Sequence, residues 1–326
     1  MAYTDIDDPS TVFQTAIYTG TGSSNARTFG GNSDLSPDML WFKNTGSALN
    51  WMLWDTTRGI TKYFYSNLTE GEGTTSSVLT AIGSDGFTVG NNNNVNESNK
   101  IIASYGWKKA TGVFDIVSYT GNGSGRNISH SLGTVPGMMW VFNRDTNGRN
   151  RPVYFGDRTK YMYLSSTDAQ ANAGTIIWNN TAPTASVFSV GTDNGVNSNG
   201  EAYIAYLFGN KQGVSKVGFY TGNGNADGPF VYTGFKVGWV MIKLASGADN
   251  WQVLDNQRSP HNIVGGYLLP DGANVQINND VVDFLSNGFK LRTTAGSWNP
   301  SGGTFSYIAF AENPFVTSTG IPAAAR

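Results

Sequence analysis

Between residues 114 and 208, short β-branched and aromatic runs alternate with clusters of Asn, Gly, Asp and Ser. The runs Phe114–Tyr119, Met138–Phe142, Pro152–Phe155, Tyr161–Leu164, Thr175–Trp178, Ser186–Val190 and Ala202–Phe208 have the length and make-up of strands. Asn122-Gly123, Asn147-Gly148, Asn194-Gly195 and Asn199-Gly200 are turn pairs between them. No segment sustains a 3.6-residue apolar period. Seven or eight strands in about a hundred residues predict an all-β, antiparallel, two-sheet sandwich of jelly-roll or lectin-like type. Runs such as Trp239-Val240-Met241-Ile242, apolar at every position, suit either central strands or strands packed on a neighbouring domain or subunit.

The pattern occurs three times. Tyr18-Thr19-Gly20-Thr21-Gly22, Tyr119-Thr120-Gly121-Asn122-Gly123 and Tyr220-Thr221-Gly222-Asn223-Gly224 recur at a step of 101 (119−18, 220−119). Trp41, Trp140 and Trp239 follow at a step of 99 (140−41, 239−140), and Phe87, Phe188 and Phe289 at 101 (188−87, 289−188). Ile102-Ala103, Ile204-Ala205 and Ile308-Ala309 close each unit. A period near one hundred exceeds that of solenoids and propellers and is itself the size of a domain. The expected organisation is an N-terminal arm (1–11), three tandem sandwich repeats (12–110, 111–211, 212–314) and a C-terminal tail (315–326). Lys108-Lys109-Ala110-Thr111-Gly112 and Asn210-Lys211-Gln212-Gly213 are the linkers, short enough to hold three beads close together.

Only 13% of the 326 residues are charged, so Asn, Ser, Thr and Gly must cover much of the surface. A net charge of −2 without a basic stripe gives no reason to expect nucleic-acid binding. No apolar stretch approaches a membrane span, and the opening residues lack the regions of a signal peptide. The chain has no cysteine, which removes disulfides and thiolate metal sites. Folding in a reducing cytoplasm fits these features, which equally suit a protein that later works outside a cell.

Candidate chemistry is sparse. An Asp and an Arg follow each Trp strand: Asp55 and Arg58, Asp157 and Arg158, Asp255 and Arg258. An Arg fork over a carboxylate can bind a sugar or phosphate. Recurrence in every unit favours a salt bridge pinning a loop to the sandwich edge. His130 and His261 occupy non-equivalent positions without a catalytic or metal-binding cluster, which suits surface or loop histidines. Glu70, Glu72, Glu97, Glu201 and Glu312 do not recur as the carboxylate pair of a glycosidase would, although pairs across domains remain open. Trp41, Trp140 and Trp239 are expected in the core. Trp51, Trp54, Trp178, Trp251 and Trp298 are left to a binding face or an oligomer interface. Asn91-Asn92-Asn93-Asn94 reads as a polar loop. No catalytic, cofactor-binding or metal-binding residue is assigned.

Ile6-Asp7-Asp8-Pro9, Phe13-Gln14-Thr15, Pro37-Asp38-Met39-Leu40-Trp41-Phe42-Lys43-Asn44 and Ser84-Asp85-Gly86-Phe87 resemble a family of tailed-bacteriophage virion proteins common in marine phages. The likeness is greatest in the third unit, in the string from Gly222 to Phe235, in Ser286-Asn287-Gly288-Phe289 and in Ile308–Phe315. The resemblance implies a non-enzymatic structural component of the virion, assembled in the host cytoplasm, with no catalytic residues to transfer. Arm, compact domains and tail suit a head decoration protein or head fibre bound to the capsid protein. A tail fibre, knob or receptor-binding protein contacting host-surface glycan is the alternative, and a polysaccharide depolymerase a remote one. A homo-oligomer, taken as a trimer, is expected in the first two placements.

Overall fold

In the computed structural model, which describes residues 4–322, the chain forms antiparallel sheets joined by tight turns. The first repeat contributes β1 (Phe13–Thr19), β2 (Asn25–Arg27), β3 (Met39–Asn44), β4 (Met52–Asp55), β5 (Lys62–Tyr65), β6 (Gly73–Thr74), β7 (Leu79–Ile82), β8 (Phe87–Val89) and β9 (Ile101–Trp107). The second contributes β10 (Phe114–Thr120), β11 (Arg126–Ser129), β12 (Met138–Asn143), β13 (Pro152–Tyr154), β14 (Lys160–Tyr163), β15 (Ala171–Asn172), β16 (Val187–Val190) and β17 (Ala202–Phe208). The third contributes β18 (Ser215–Thr221), β19 (Phe230–Tyr232), β20 (Phe235–Leu244), β21 (Trp251–Asp255), β22 (Val264–Leu268), β23 (Ile277–Leu285), β24 (Gly288–Leu291) and β25 (Thr304–Pro314).

Repeat 1 pairs a six-stranded sheet, ordered β1-β9-β3-β4-β5-β6, with a small sheet β2-β8-β7. Repeat 2 repeats this order as β10-β17-β12-β13-β14-β15, with β11-β16 as the second layer. In repeat 3 the nine-residue β23 pairs with both β22 and β24, so the two layers join into one eight-stranded sheet. The all-β antiparallel sandwich character is as expected. Thr175–Trp178 is not a strand. It lies between residues of positive φ (Gly174, Asn179, Asn180) and turns Ile177 and Trp178 into the repeat's own core.

The continuous apolar runs have a direct explanation. In β3, Leu40 and Phe42 face the sandwich interior, whereas Met39 and Trp41 face outward from it and are equally buried. Those outward faces belong to one hydrophobic cluster drawn from all three repeats, containing Trp41, Trp51, Trp107, Trp140, Phe208, Trp239, Trp251 and Phe310. Trp107, Phe208 and Phe310 occupy one position in three repeats, opposite Phe13, Phe114 and Ser215. Their rings meet pairwise, with centroids 6.2 Å (Trp107–Phe208), 5.8 Å (Trp107–Phe310) and 6.3 Å (Phe208–Phe310) apart. These three rings mark a pseudo-threefold axis. Burying each such ring contributes roughly 1.5–3 kcal/mol, and here the burial exists only because the repeats meet. The units are therefore not separate beads. Their linkers are turns at Gly112 and Gly213 (φ +79° and +77°) that send Val113 and Val214 into the shared core.

Candidate functional site

The repeated motif has a structural use at each residue. Tyr18, Tyr119 and Tyr220 donate their O–H groups to the carbonyls of Val95, Val196 and Trp298, at 2.6, 2.7 and 2.9 Å. Phe87, Phe188 and Phe289 meet those tyrosine rings edge-on, each at 6.1 Å. A Cβ on the first glycine of the motif (Gly20, Gly121, Gly222) would overlap a backbone carbonyl, and the second has φ near +70°. Beside the motif, Asn96, Asn197 and Asn299 are fully buried. Their Oδ1 atoms accept the backbone N–H of Thr21, Asn122 and Asn223 at 2.8, 3.0 and 2.8 Å. Their Nδ2 atoms donate to paired loop carbonyls: Ser23 and Gly90, Ser124 and Gly191, Asn225 and Thr293. The sequence reading missed these asparagines, although they recur at nearly the motif's own step.

The Asp–Arg pairs lie in the interior and not at a sandwich edge. Arg58 Nε reaches Asp55 Oδ2 at 2.5 Å and Arg258 Nε reaches Asp255 Oδ2 at 2.6 Å, with all four side chains buried. Each carboxylate also accepts a phenol from the next repeat: Tyr206 to Asp55 at 2.7 Å, Tyr105 to Asp255 at 2.9 Å. Burial raises both phenols far above their usual range, so they act as donors. Repeat 2 departs from this. Register places Phe155, not Asp157, at the aspartate position, and Ile308 at the tyrosine position. Arg158 is exposed, and Asp157 bonds Thr159. The expected third salt bridge is thus absent at the third seam, where both polar partners have become apolar together.

The other seam contacts run in the same cyclic sense. Trp51 donates its indole N–H to Leu269 O, and Trp251 to Tyr163 O, both at 2.8 Å. The equivalent residue in repeat 2 is Arg151, whose Nε donates to Leu68 O at 3.1 Å. Lys43 and Lys243 stand beside Trp51 and Trp251 and donate across the seams to Ala273 O and Thr167 O. Burial draws both ammonium groups down to about 8. In repeat 2 the pair is reversed to Phe142 and Arg151, with the guanidinium 4.7 Å from the ring centroid. Backbone N–H groups of Glu72, Gln170 and Gln276 complete the ring, bonding Arg144 O, Ala245 O and Thr45 O at 2.7, 2.8 and 2.9 Å. Glu72 in addition contacts Arg58, Lys62 and Arg144 at 3.6, 3.4 and 3.0 Å.

The remaining candidates are dispersed. His130 is buried beside Thr184 O and Leu132 N, and His261 is exposed. All nine tryptophans are buried, including Trp51, Trp54, Trp178, Trp251 and Trp298, so none forms a stacking platform on the surface. Asn92 caps the short helical turn Asn93–Asn96 through Asn94 N. No group of three or more His, Asp or Glu among the described residues is arranged to hold a metal. Two hollows remain. One of about 290 Å³ lies at the seam of repeats 1 and 3, and a broader trough of about 530 Å³ follows β10 past His130.

No curated protein and no solved structure matches the chain. One family does, over residues 8–314, a span that takes in all three repeats and their shared core. The chain belongs to the family described as Domain of unknown function (DUF7483).

Proposed function

We propose that this protein is a non-enzymatic structural component of a tailed-phage virion, seated on the head as a decoration protein. The observation that carries the reading is the closed ring of three repeats within one chain. A body with an internal pseudo-threefold axis matches a shell position of local threefold symmetry, because each repeat can face a quasi-equivalent shell subunit. One chain then supplies the arrangement for which a trimer was expected from the sequence. The Asp55–Arg58 and Asp255–Arg258 pairs and the nine tryptophans, which invited a chemical reading, are committed to the seams and cores.

The terminal segments support an attachment role at one end of the axis. Thr4 bonds Gln212 O, Lys211 pairs with Asp5 at 2.6 Å, and Ser318 N donates to Asp7 at 2.6 Å. The described residues of arm and tail and the second linker are thereby gathered on one surface. Because Ile6 also packs against the shared core, the arm from Thr4 onward is part of the body and not a loose clamp. A protein that binds only the assembled shell stabilises it by mass action.

Immunogold electron microscopy of intact virions, with antibody to this chain, tests the placement. Gold over the head is the expected result. Gold at the tail tip or fibres would overturn head decoration in favour of receptor binding, and bare particles would overturn the virion reading.

A further inference from the structure

The three seams are equivalent by register but close differently at their outer ends. Between repeats 1 and 2, Asp38 fills the position, accepting Thr56 Oγ1 at 2.9 Å and Lys109 N at 2.8 Å. Between repeats 2 and 3, the Phe219 ring reaches across Gly156 to Phe155, with centroids 6.0 Å apart. Between repeats 3 and 1, Ile17 stands where Phe219 would be and Gly238 where Asp38 would be. That seam stays open as the cleft of about 290 Å³. Its wall is shaped by a bulge found only in repeat 3, where the β20–β25 register shifts around Gly238. Bulges of this kind commonly re-aim side chains next to binding sites.

We propose that this cleft is a binding site for a neutral saccharide unit. Its volume falls near the lower end of small-molecule pockets, which span roughly 300–1,000 Å³. Asn256 is buried, and its Nδ2 donates to Glu312 at 2.6 Å, leaving Oδ1 to accept from a ligand. The Glu312 charge is met by Lys236 at 3.2 Å, so the cleft makes no demand for a cation. Gln257 and Thr15 supply further donors and acceptors, and Ile17 offers an apolar flank to the C–H face of a sugar ring. β1 forms the edge of its sheet here, adding backbone groups along one wall. The site does not rest on head placement. It is formed wherever repeats 3 and 1 meet.

The test is a glycan array probed with the labelled full chain, followed by saturation-transfer NMR with the free sugar that scores. Wild type is expected to bind at least one neutral glycan. Ile17→Phe, which copies the closed seam, and Gln257→Ala, an exposed change that leaves the fold intact, are each expected to weaken binding about tenfold or more. Absence of binding to any neutral glycan would overturn the proposal. Unchanged binding by Gln257→Ala, or by folded Ile17→Phe, would overturn the location.

Discussion

The phenol of Tyr206 in the second repeat donates to Asp55 Oδ2 in the first at 2.7 Å, on the carboxylate that Arg58 also holds. Its counterpart, Tyr105 to Asp255, joins the first repeat to the third. Breaking a buried, hydrogen-bonded charge pair from one side costs more than replacing both partners, since the survivor stays desolvated. Tyr206→Phe is expected to lower stability by about 1–3 kcal/mol, read as a drop in the denaturant midpoint. Asp55→Ala, which strands Arg58, is expected to cost more. The triple change Asp55→Phe, Arg58→Leu, Tyr206→Ile, which copies the apolar pairing of Phe155 and Ile308, should recover part of that loss.

The buried asparagines support a second expectation. Replacing Asn197 by Ala leaves the N–H of Asn122 and the carbonyls of Ser124 and Gly191 without this partner. The bond to Gly191 O is buried and the other two are partly buried. A buried orphan costs about 1–3 kcal/mol and a partly exposed one less, so Asn197→Ala should destabilise by at least about 2 kcal/mol. Equivalent losses for Asn96→Ala and Asn299→Ala would identify one staple used three times.

The tryptophans of the shared core differ in a way mutation can read. Trp41 donates its indole N–H to Ser66 Oγ at 2.7 Å, whereas the indole N–H groups of Trp140 and Trp239 are buried without a partner. Trp140→Phe removes an unsatisfied donor along with some contact area, and Trp41→Phe breaks a bond. The loss at Trp41 is expected to exceed that at Trp140 by about 1 kcal/mol in chemical denaturation.

Asp271 gives a pH signature. Its carboxyl accepts Trp251 N at 3.1 Å, and burial pushes it up from 3.8 to about 7. A carboxyl with a raised folded pKa binds more protons in the folded state, so its contribution is full below 3.8 and declines as pH rises toward about 7. Asn67 does the same work in repeat 1, accepting Trp51 N at 3.0 Å without a charge. Asp271→Asn is expected to flatten the stability profile between these values and to stabilise the protein at neutral pH. A profile unchanged by the substitution would contradict this.

The period, the tyrosine motif and the phenylalanine landmarks were legible because each serves one local staple that every repeat needs. Other recurrences misled. Trp239 pairs with Phe310, as Met39 pairs with Trp107, so its equivalents are Met39 and Met138, while Trp41 and Trp140 correspond to Met241. A two-residue shift leaves a side chain on the same face of a strand, so the step of 99 survived without marking one position. Asp157-Arg158 likewise copied a sequence pattern but not its place. The seams were illegible for a different reason: their partners, such as Trp51 with Leu269 O, lie in different repeats and leave no local spacing. The reversal of Lys–Trp to Phe–Arg hid an equivalence that only the register reveals.

Central to this account is that three repeats around one shared core form a single folding unit. Differential scanning calorimetry of the intact chain tests it most directly. The expected result is one transition whose calorimetric and van't Hoff enthalpies agree. Separate transitions, or a calorimetric enthalpy about three times the van't Hoff value, would show three independent domains and contradict the shared core.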